Sequence, residues 1–292
     1  MGGSIGVQRH FYDNSMSDLE YYSIDGLGKG TSEEHSASKE VSFLKSTNNR
    51  GYVNPLSLEA PYLNRYPFND YRFVKKLGKG KFSLVYKATA IKDEKKRFAV
   101  KEVKIHEMKK EQFEDFRYEL NILSQLSHPS ILRLHSVYDT SGPQAKFFLV
   151  LEYLKGGELI NALIENRQYT EEDVMFYASQ IISGVFYLHS RGVIHGNLIP
   201  ENIILLNQRF EDRRTNHIKI VGFDHAQVPP HSRNPVKFPI DPQFRSPEFH
   251  QSTPTTESDV WAFGVLLYLL FSGTLPFPDS QVELLVCFSI SF

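Results

Sequence analysis

The sequence predicts an α+β protein in two lobes, a small and mostly antiparallel β lobe carrying one helix, followed by a larger and mostly helical lobe. Three observations carry this expectation. Short β-rich runs dominate residues 71 to 153 and are broken by a single helical stretch. Beyond them apolar residues recur at helical spacing, first after Thr170 and again from about Ser258 to Phe271. With 292 residues, 41% hydrophobic and 23% charged, the chain has ordinary globular composition and length enough for a sizeable core.

Residues 1 to 66 are rich in Ser, Asn, Gly and charge and show no sustained apolar period, so they read as a disordered polar extension. The start, Met1-Gly2-Gly3-Ser4-Ile5-Gly6, has the outline of a myristoylation site, but Gly6 stands where Ser or Thr is wanted, and a plain terminus is expected. Nothing there has the build of a secretory signal. Leu27-Gly28-Lys29-Gly30 duplicates Leu77-Gly78-Lys79-Gly80, yet no strand with a suitably placed lysine follows it, so the repeat is read as coincidence.

The folded unit is expected over residues 67–292, with the small lobe at about 67–153 and the large lobe at about 154–292. Strands are predicted at Tyr71 to Leu77, Leu84 to Ala90 and Arg97 to Val103. A helix fits residues 110 to 126, with Phe113, Phe116, Leu120 and Leu123 along one face, and His128-Pro129 ends it. Two further strands are predicted around Ile131 to Tyr138 and Lys146 to Tyr153. Thr170-Glu171-Glu172-Asp173 has the form of a helix-capping signal, and Val174, Ala178, Ile181, Val185 and Leu188 follow at helical spacing. The polar segment from Asn207 to His217 reads as a surface loop. The helix from Ser258 to Phe271 is apolar nearly all round, as an interior helix should be. Its apolar run, Val260 to Phe271, is too short to span a bilayer.

Charge and cysteine usage bound the function. A net charge of −1 gives no electrostatic argument for nucleic acid or an anionic membrane. The one cysteine, Cys287, allows no intrachain disulfide, which fits a reducing, intracellular location, the cytoplasm foremost.

An ordered series of motifs is the strongest signal. Val193-Ile194-His195-Gly196-Asn197-Leu198-Ile199-Pro200-Glu201-Asn202 resembles the catalytic loop H-R-D-L-x-x-x-N of eukaryotic protein kinases. Leu77-Gly78-Lys79-Gly80-Lys81-Phe82-Ser83-Leu84-Val85 is similar to their glycine-rich loop, with Ser83 in place of the third glycine. Phe98-Ala99-Val100-Lys101 resembles the V-A-I-K strand, and Glu119 is the matching helix partner of Lys101. Leu149-Val150-Leu151-Glu152-Tyr153-Leu154 resembles the hinge between lobes. Together these cover about residues 71 to 278 and imply a bilobal, serine/threonine-type kinase fold similar to the calmodulin-dependent group. The resemblance implies ATP at the lobe interface. Val85 and Ala99 would lie above the base and Ile204 below it. Leu77, Gly78 and Gly80 would cover the nucleotide, Lys101 would meet its phosphates, and Leu151 would stand as gatekeeper. The backbone from Glu152 to Leu154 would meet adenine, and Glu158 would reach the ribose.

The departures from the family lie in the chemistry. Gly196 replaces the loop arginine and Asn197 the catalytic aspartate. Where D-F-G is expected the chain reads Gly222-Phe223-Asp224, so glycine stands at the metal-ligand position. Asp224 and Asn202 remain as candidate metal ligands, neither at the place of the lost carboxylate, which leaves Mg2+ without its principal ligand. An amide at residue 197 is a very poor general base. Such a base contributes about 10²–10⁴-fold, or roughly 2.7–5.4 kcal/mol of barrier.

The framework positions are kept. His195 and Phe223 match a column of stacked side chains with Leu123 and Leu134, and Asp259 matches the buried acid that tethers the catalytic loop. Phe244-Arg245-Ser246-Pro247-Glu248 resembles the end of the activation segment, with Ser232 and Ser246 as phosphorylation candidates. Glu158 and Glu201 stand where some kinases recognise basic peptides. The family continues with further helices beyond the interior one, so the large lobe is read here as truncated at its C-terminal end. The expected function is a pseudokinase that binds ATP and an unidentified protein partner as scaffold or allosteric regulator. The alternative is a weakly active protein serine/threonine kinase.

Overall fold

A computed structural model describes residues 62–63, 66–140, 144–165, 170–207, 216–229, 241–248 and 253–277. The small lobe is built on a twisted sheet. Its strands are β1 (Tyr62–Leu63), β2 (Tyr71–Lys79), β3 (Ser83–Ala90), β4 (Asp93–Lys104), β5 (Leu134–Asp139) and β6 (Lys146–Glu152), in the order β1-β5-β6-β4-β3-β2. The five long strands pair antiparallel, as the alternating sequence pattern predicts, and β1 adds a short parallel edge against β5. The extension expected through residue 66 therefore gives two residues to the sheet; residues 1 to 61 lie outside the described residues.

The sheet has two distinct faces because side chains alternate along each strand. Ala88, Val100, Tyr138, Phe148 and Val150 form one cluster on the outer face, with Tyr71, Phe73 and Phe98 packed against it. Val103, Phe147, Leu149 and Leu151 belong to the other face and join a core that continues through both lobes. Helix α1 (Lys110–Ser124) packs into that core with Phe116, Leu120 and Leu123 buried, the predicted stripe. It begins where the Gln112 side chain accepts the Lys109 N–H at 2.9 Å.

The large lobe begins with α2 (Leu159–Glu165), followed by α3 (Glu171–Ser190). Thr170 caps α3 as predicted. Its Oγ1 accepts from Asp173 N–H at 3.3 Å, and its own N–H donates to Asp173 Oδ2 at 2.7 Å. A cap of this kind is worth about 1 kcal/mol. Val174, Ala178, Ile181, Val185 and Leu188 are all buried. The hairpin of β7 (Ile203–Leu205) and β8 (Ile218–Ile220) follows the catalytic-loop segment, and the tip of the predicted surface loop, 208–215, lies outside the described residues.

Helix α4 (Thr256–Ser272) packs against α3 and ends at Gly273. The expectation of an interior helix holds for one side only. Ala262, Val265, Leu266 and Leu270 are buried, while Val260, Tyr268 and Phe271 are exposed. Low polarity all round a helix identifies it as apolar, but which side is covered depends on its neighbours.

Candidate functional site

The residues expected to face a nucleotide come together through strand register. Val85 stands opposite Lys101, Lys101 opposite Leu149, and Ala99 opposite Leu151. All of them therefore lie on one face of the sheet, turned away from the outer aromatic cluster. Gly78 pairs with Val85, and the turn from Gly80 to Ser83 is closed by Gly80 N–H donating to Ser83 carbonyl at 2.8 Å. Leu77 is half-buried beside this hairpin. Lys101 Nζ lies 3.9 Å from Glu119 Oε1 on α1, so the expected strand–helix ion pair is formed.

Across the cleft, Ile204 on β7 is buried and bridges to Glu158. Glu152 N–H donates to Arg133 carbonyl at 3.1 Å, and Leu154 stands two residues on. The Glu152 side chain accepts from Arg133 N–H at 2.7 Å and pairs with Lys219 at 2.9 Å. Sequence reasoning missed Lys219. It sits on a buried strand, where a cation has no local signature, and its role comes only from meeting Glu152 and Ile131 carbonyl. The Glu158 carboxyl is pushed up from its ordinary value by burial and then by the negative charge of Glu201. The two acids expected to mark a basic-peptide groove thus sense each other.

The catalytic-loop segment is held from beneath by Asp259 on α4. Its two carboxylate oxygens accept from His195 N–H and Gly196 N–H, each at 2.8 Å, and His189 Nε2 also lies 2.8 Å from Oδ2. His195 is fully buried and packs edge-on against Phe223 with ring centroids 5.0 Å apart. Its Nε2 donates to Val221 carbonyl and its Nδ1 accepts from Asn197 N–H. Burial pushes its pKa down, consistent with that neutral tautomer.

The predicted departures cluster in space. Gly222 has φ +78°, in the left-handed region, and a Cβ built there would lie 2.4–2.6 Å from the amide atoms of Asn202. Asn202 in turn donates from Nδ2 to Asn197 carbonyl at 2.9 Å. The Asn202 amide thus packs against the bare Gly222, in space that any side chain at residue 222 would enter. Asn197 Oδ1 is buried without a hydrogen-bond partner. Gly196 also has positive φ, and a Cβ there would stand 2.9 Å from the carbonyl of His225.

Asp224 lies two residues past Gly222. It is half-exposed and its Oδ2 lies 3.2 Å from Nε2 of His225. Crowding by the surrounding protein opposes its ionisation, but the His225 hydrogen bond and charge outweigh this and hold the carboxyl below its ordinary value. It lines a cleft of about 570 Å³ with Lys81, Phe82, Ser83, Lys101 and Glu119. The short 3-10 turn Phe223–His225 brings it to this cleft wall beside Lys101. Among the described residues no three His, Cys, Asp or Glu side chains converge as a metal-binding set.

Ser246 is also corrected as a phosphorylation candidate. It is 0% exposed and donates to Ser258 Oγ at 3.1 Å, so its hydroxyl is packed against the start of α4. Ser232 lies outside the described residues. No described helix is long and apolar enough to cross a membrane.

Comparison with known proteins agrees with this geometry. The family described as protein kinase domain matches residues 71–288. The chain is similar to ribosomal protein S6 kinase alpha-3 of Homo sapiens, 32% identical over 213 residues, which is 72% of this chain and 27% of that protein. It is 34% identical over 219 residues to NUAK family SNF1-like kinase 2 of Homo sapiens, covering 74% of this chain and 33% of that protein. Myosin light chain kinase A of Dictyostelium discoideum is 32% identical over 215 residues, 73% of this chain and 70% of that protein. The match thus spans about a third or less of the length of the first two relatives.

Proposed function

The chain belongs to the protein kinase family, and from that premise we propose that it binds ATP between its lobes yet transfers phosphate poorly or not at all, acting on a protein partner as scaffold or allosteric regulator. The observation that carries this reading is the pairing of Gly222 with Asn202. Where a metal-binding carboxylate would project, there is no side chain, and the Asn202 amide lies against the vacated backbone. Mg2+ demands oxygen ligands at about 2.0–2.1 Å in near-octahedral arrangement. The donors present fall short of that set, since Gly222 supplies no oxygen, Asn202 supplies one neutral amide oxygen, and Asp224 Oδ2 lies at His225.

The residues on the nucleotide side do fit ATP. Val85, Ala99 and Leu151 form an apolar shelf on one sheet face, and Lys101 on that face is paired with Glu119. Bound there, ATP would supply the transferable γ-phosphoryl group. Residue 197 carries an amide whose oxygen is buried, and such an oxygen accepts a hydrogen bond but is a very poor general base. On this reading residues 67–292 form the kinase-like unit, residues 1–66 are a polar extension, and the protein works inside the cell.

A second reading, a weakly active protein serine/threonine kinase, is favoured by one observation. Asp224 lines the same cleft as Lys101 and Glu119.

Thermal unfolding of the full chain with ATP, once with Mg2+ and once with EDTA, separates the two. Ligand at about 100 times its Kd stabilises by about 2.7 kcal/mol. An equal shift in both buffers, lost in Lys101→Met, is expected. A shift that requires Mg2+, together with phosphate incorporation abolished by Lys101→Met, would overturn the proposal in favour of the weak kinase.

A further inference from the structure

The small lobe carries a group of cations that nucleotide binding does not use. Lys75 on β2 stands directly opposite Lys87 on β3. Lys87 in turn faces Ala99 on β4, and Arg97 lies two residues before Ala99 on the same side of the strand. These three side chains therefore share the face that carries Val85 and Lys101, at the end nearest the hinge. Lys87 Nζ sits over the ring of the hinge residue Tyr153, 5.5 Å from its centroid. The Lys87 ammonium is held below its ordinary value by burial and then by the positive charges of Arg97, Lys75 and Lys155, which puts Lys155, just past the hinge, in the same group.

Neighbouring cations are handled differently. Arg72 pairs with Glu94, Lys96 with Asp93, Lys104 with Glu107 and Lys146 with Glu102. Among the described residues, Lys75, Lys87, Arg97 and Lys155 make no ion pair. Like charges facing each other across antiparallel strands are unfavourable. A chain of net charge −1 thus gathers four uncompensated cations at one end of its cleft.

We propose that this cluster is the docking site for an acidic peptide segment, a run of Asp and Glu side chains on a partner protein that lies across the hinge side of the cleft. Three of the four cations are lysines, and Lys75, Arg97 and Lys155 are exposed. Lysines are mobile point charges that suit carboxylates spread along an extended chain, whereas a single phosphate is better held by a rigid arginine fork. The Tyr153 ring, already under Lys87, adds an apolar surface at the centre. The site needs neither ATP nor phosphoryl transfer, so it stands apart from the nucleotide reading.

The test is fluorescence anisotropy of a labelled oligoglutamate peptide titrated with the full chain at low salt. Lys87→Glu/Arg97→Glu is expected to weaken binding by about tenfold or more, since two attractive contacts become repulsive. The control Lys76→Glu/Lys92→Glu makes the same change in net charge off the cluster, with Lys76 facing Tyr86 on the other side of the sheet. Its loss should stay within about twofold. Thermal melts check folding, and Lys75→Gln/Arg97→Gln, both exposed, serves if the first variant unfolds. Equal losses in cluster and control variants, or no binding by the unaltered chain, would overturn the proposal. So would displacement of the peptide by inorganic phosphate at ionic strengths where chloride has no effect, which would assign the cluster to a phosphate group.

Discussion

Replacing Gly222 with alanine tests the arrangement on which the proposed loss of catalysis rests. Two costs follow from the geometry. The backbone at φ +78° is left-handed, which costs a residue with a Cβ roughly 1–2 kcal/mol. The new Cβ would also fall 2.4–2.6 Å from the Asn202 amide, so that amide must move and give up its 2.9 Å bond to Asn197 carbonyl. A net hydrogen bond is worth about 0.5–1.5 kcal/mol. Gly222→Ala should therefore destabilise by about 1.5–3.5 kcal/mol, measured by urea unfolding followed by circular dichroism. In an Asn202→Ala background only the backbone cost remains, so the double-mutant cycle should show coupling of at least about 0.5 kcal/mol. Gly222→Asp should cost at least as much and should not make nucleotide stabilisation depend on Mg2+. A neutral Gly222→Ala, or strict additivity with Asn202→Ala, would refute the reasoning.

Further outcomes can be checked on the same protein. Asp259→Ala should cost about 3–5 kcal/mol in urea, because it leaves the N–H groups of His195 and Gly196 buried without their acceptor. The pKa values of His195, His128 and His135 are lowered, chiefly by burial, from an ordinary 6.5. Their contribution is complete above that value and is lost as pH falls below it, when the unfolded chain takes up protons first. For buried His195 the slope is at most about 1.4 kcal/mol per pH unit, and His195→Phe should flatten the decline in urea midpoint between pH 7 and 5. Glu158 has the opposite sign for an acid, its pKa being raised by burial and by Glu201, so its charge opposes folding at neutral pH. Glu158→Gln should raise the melting temperature at pH 7, with the gain vanishing as pH falls below the ordinary 4.5.

Much of the fold was legible because local rules govern it. The capping signal at Thr170 and Asp173, the α3 stripe and the antiparallel strands follow from spacing and turn chemistry within short windows. Ordered motifs carried the candidate site the same way, and register then set Val85, Ala99 and Lys101 on one face. Other features depend on partners distant in sequence. Nothing near Ser246 announces that Ser258 buries it, and nothing near Lys219 announces Glu152. An apolar period cannot tell which side of α4 is covered, and residues 62 and 63 are too few to show a strand before β5 accepts them.

The sequence by itself determined which chemical groups are missing, because a glycine at residue 222 or an amide at residue 197 lacks a carboxylate in any conformation. Only the tertiary structure decided what fills the space. Asn202 packs against Gly222, Asp224 turns to His225 on the cleft wall, and four cations meet beside the hinge. Composition is a property of each residue alone. Contact, burial and charge repulsion belong to pairs of residues that the chain brings together only when it folds.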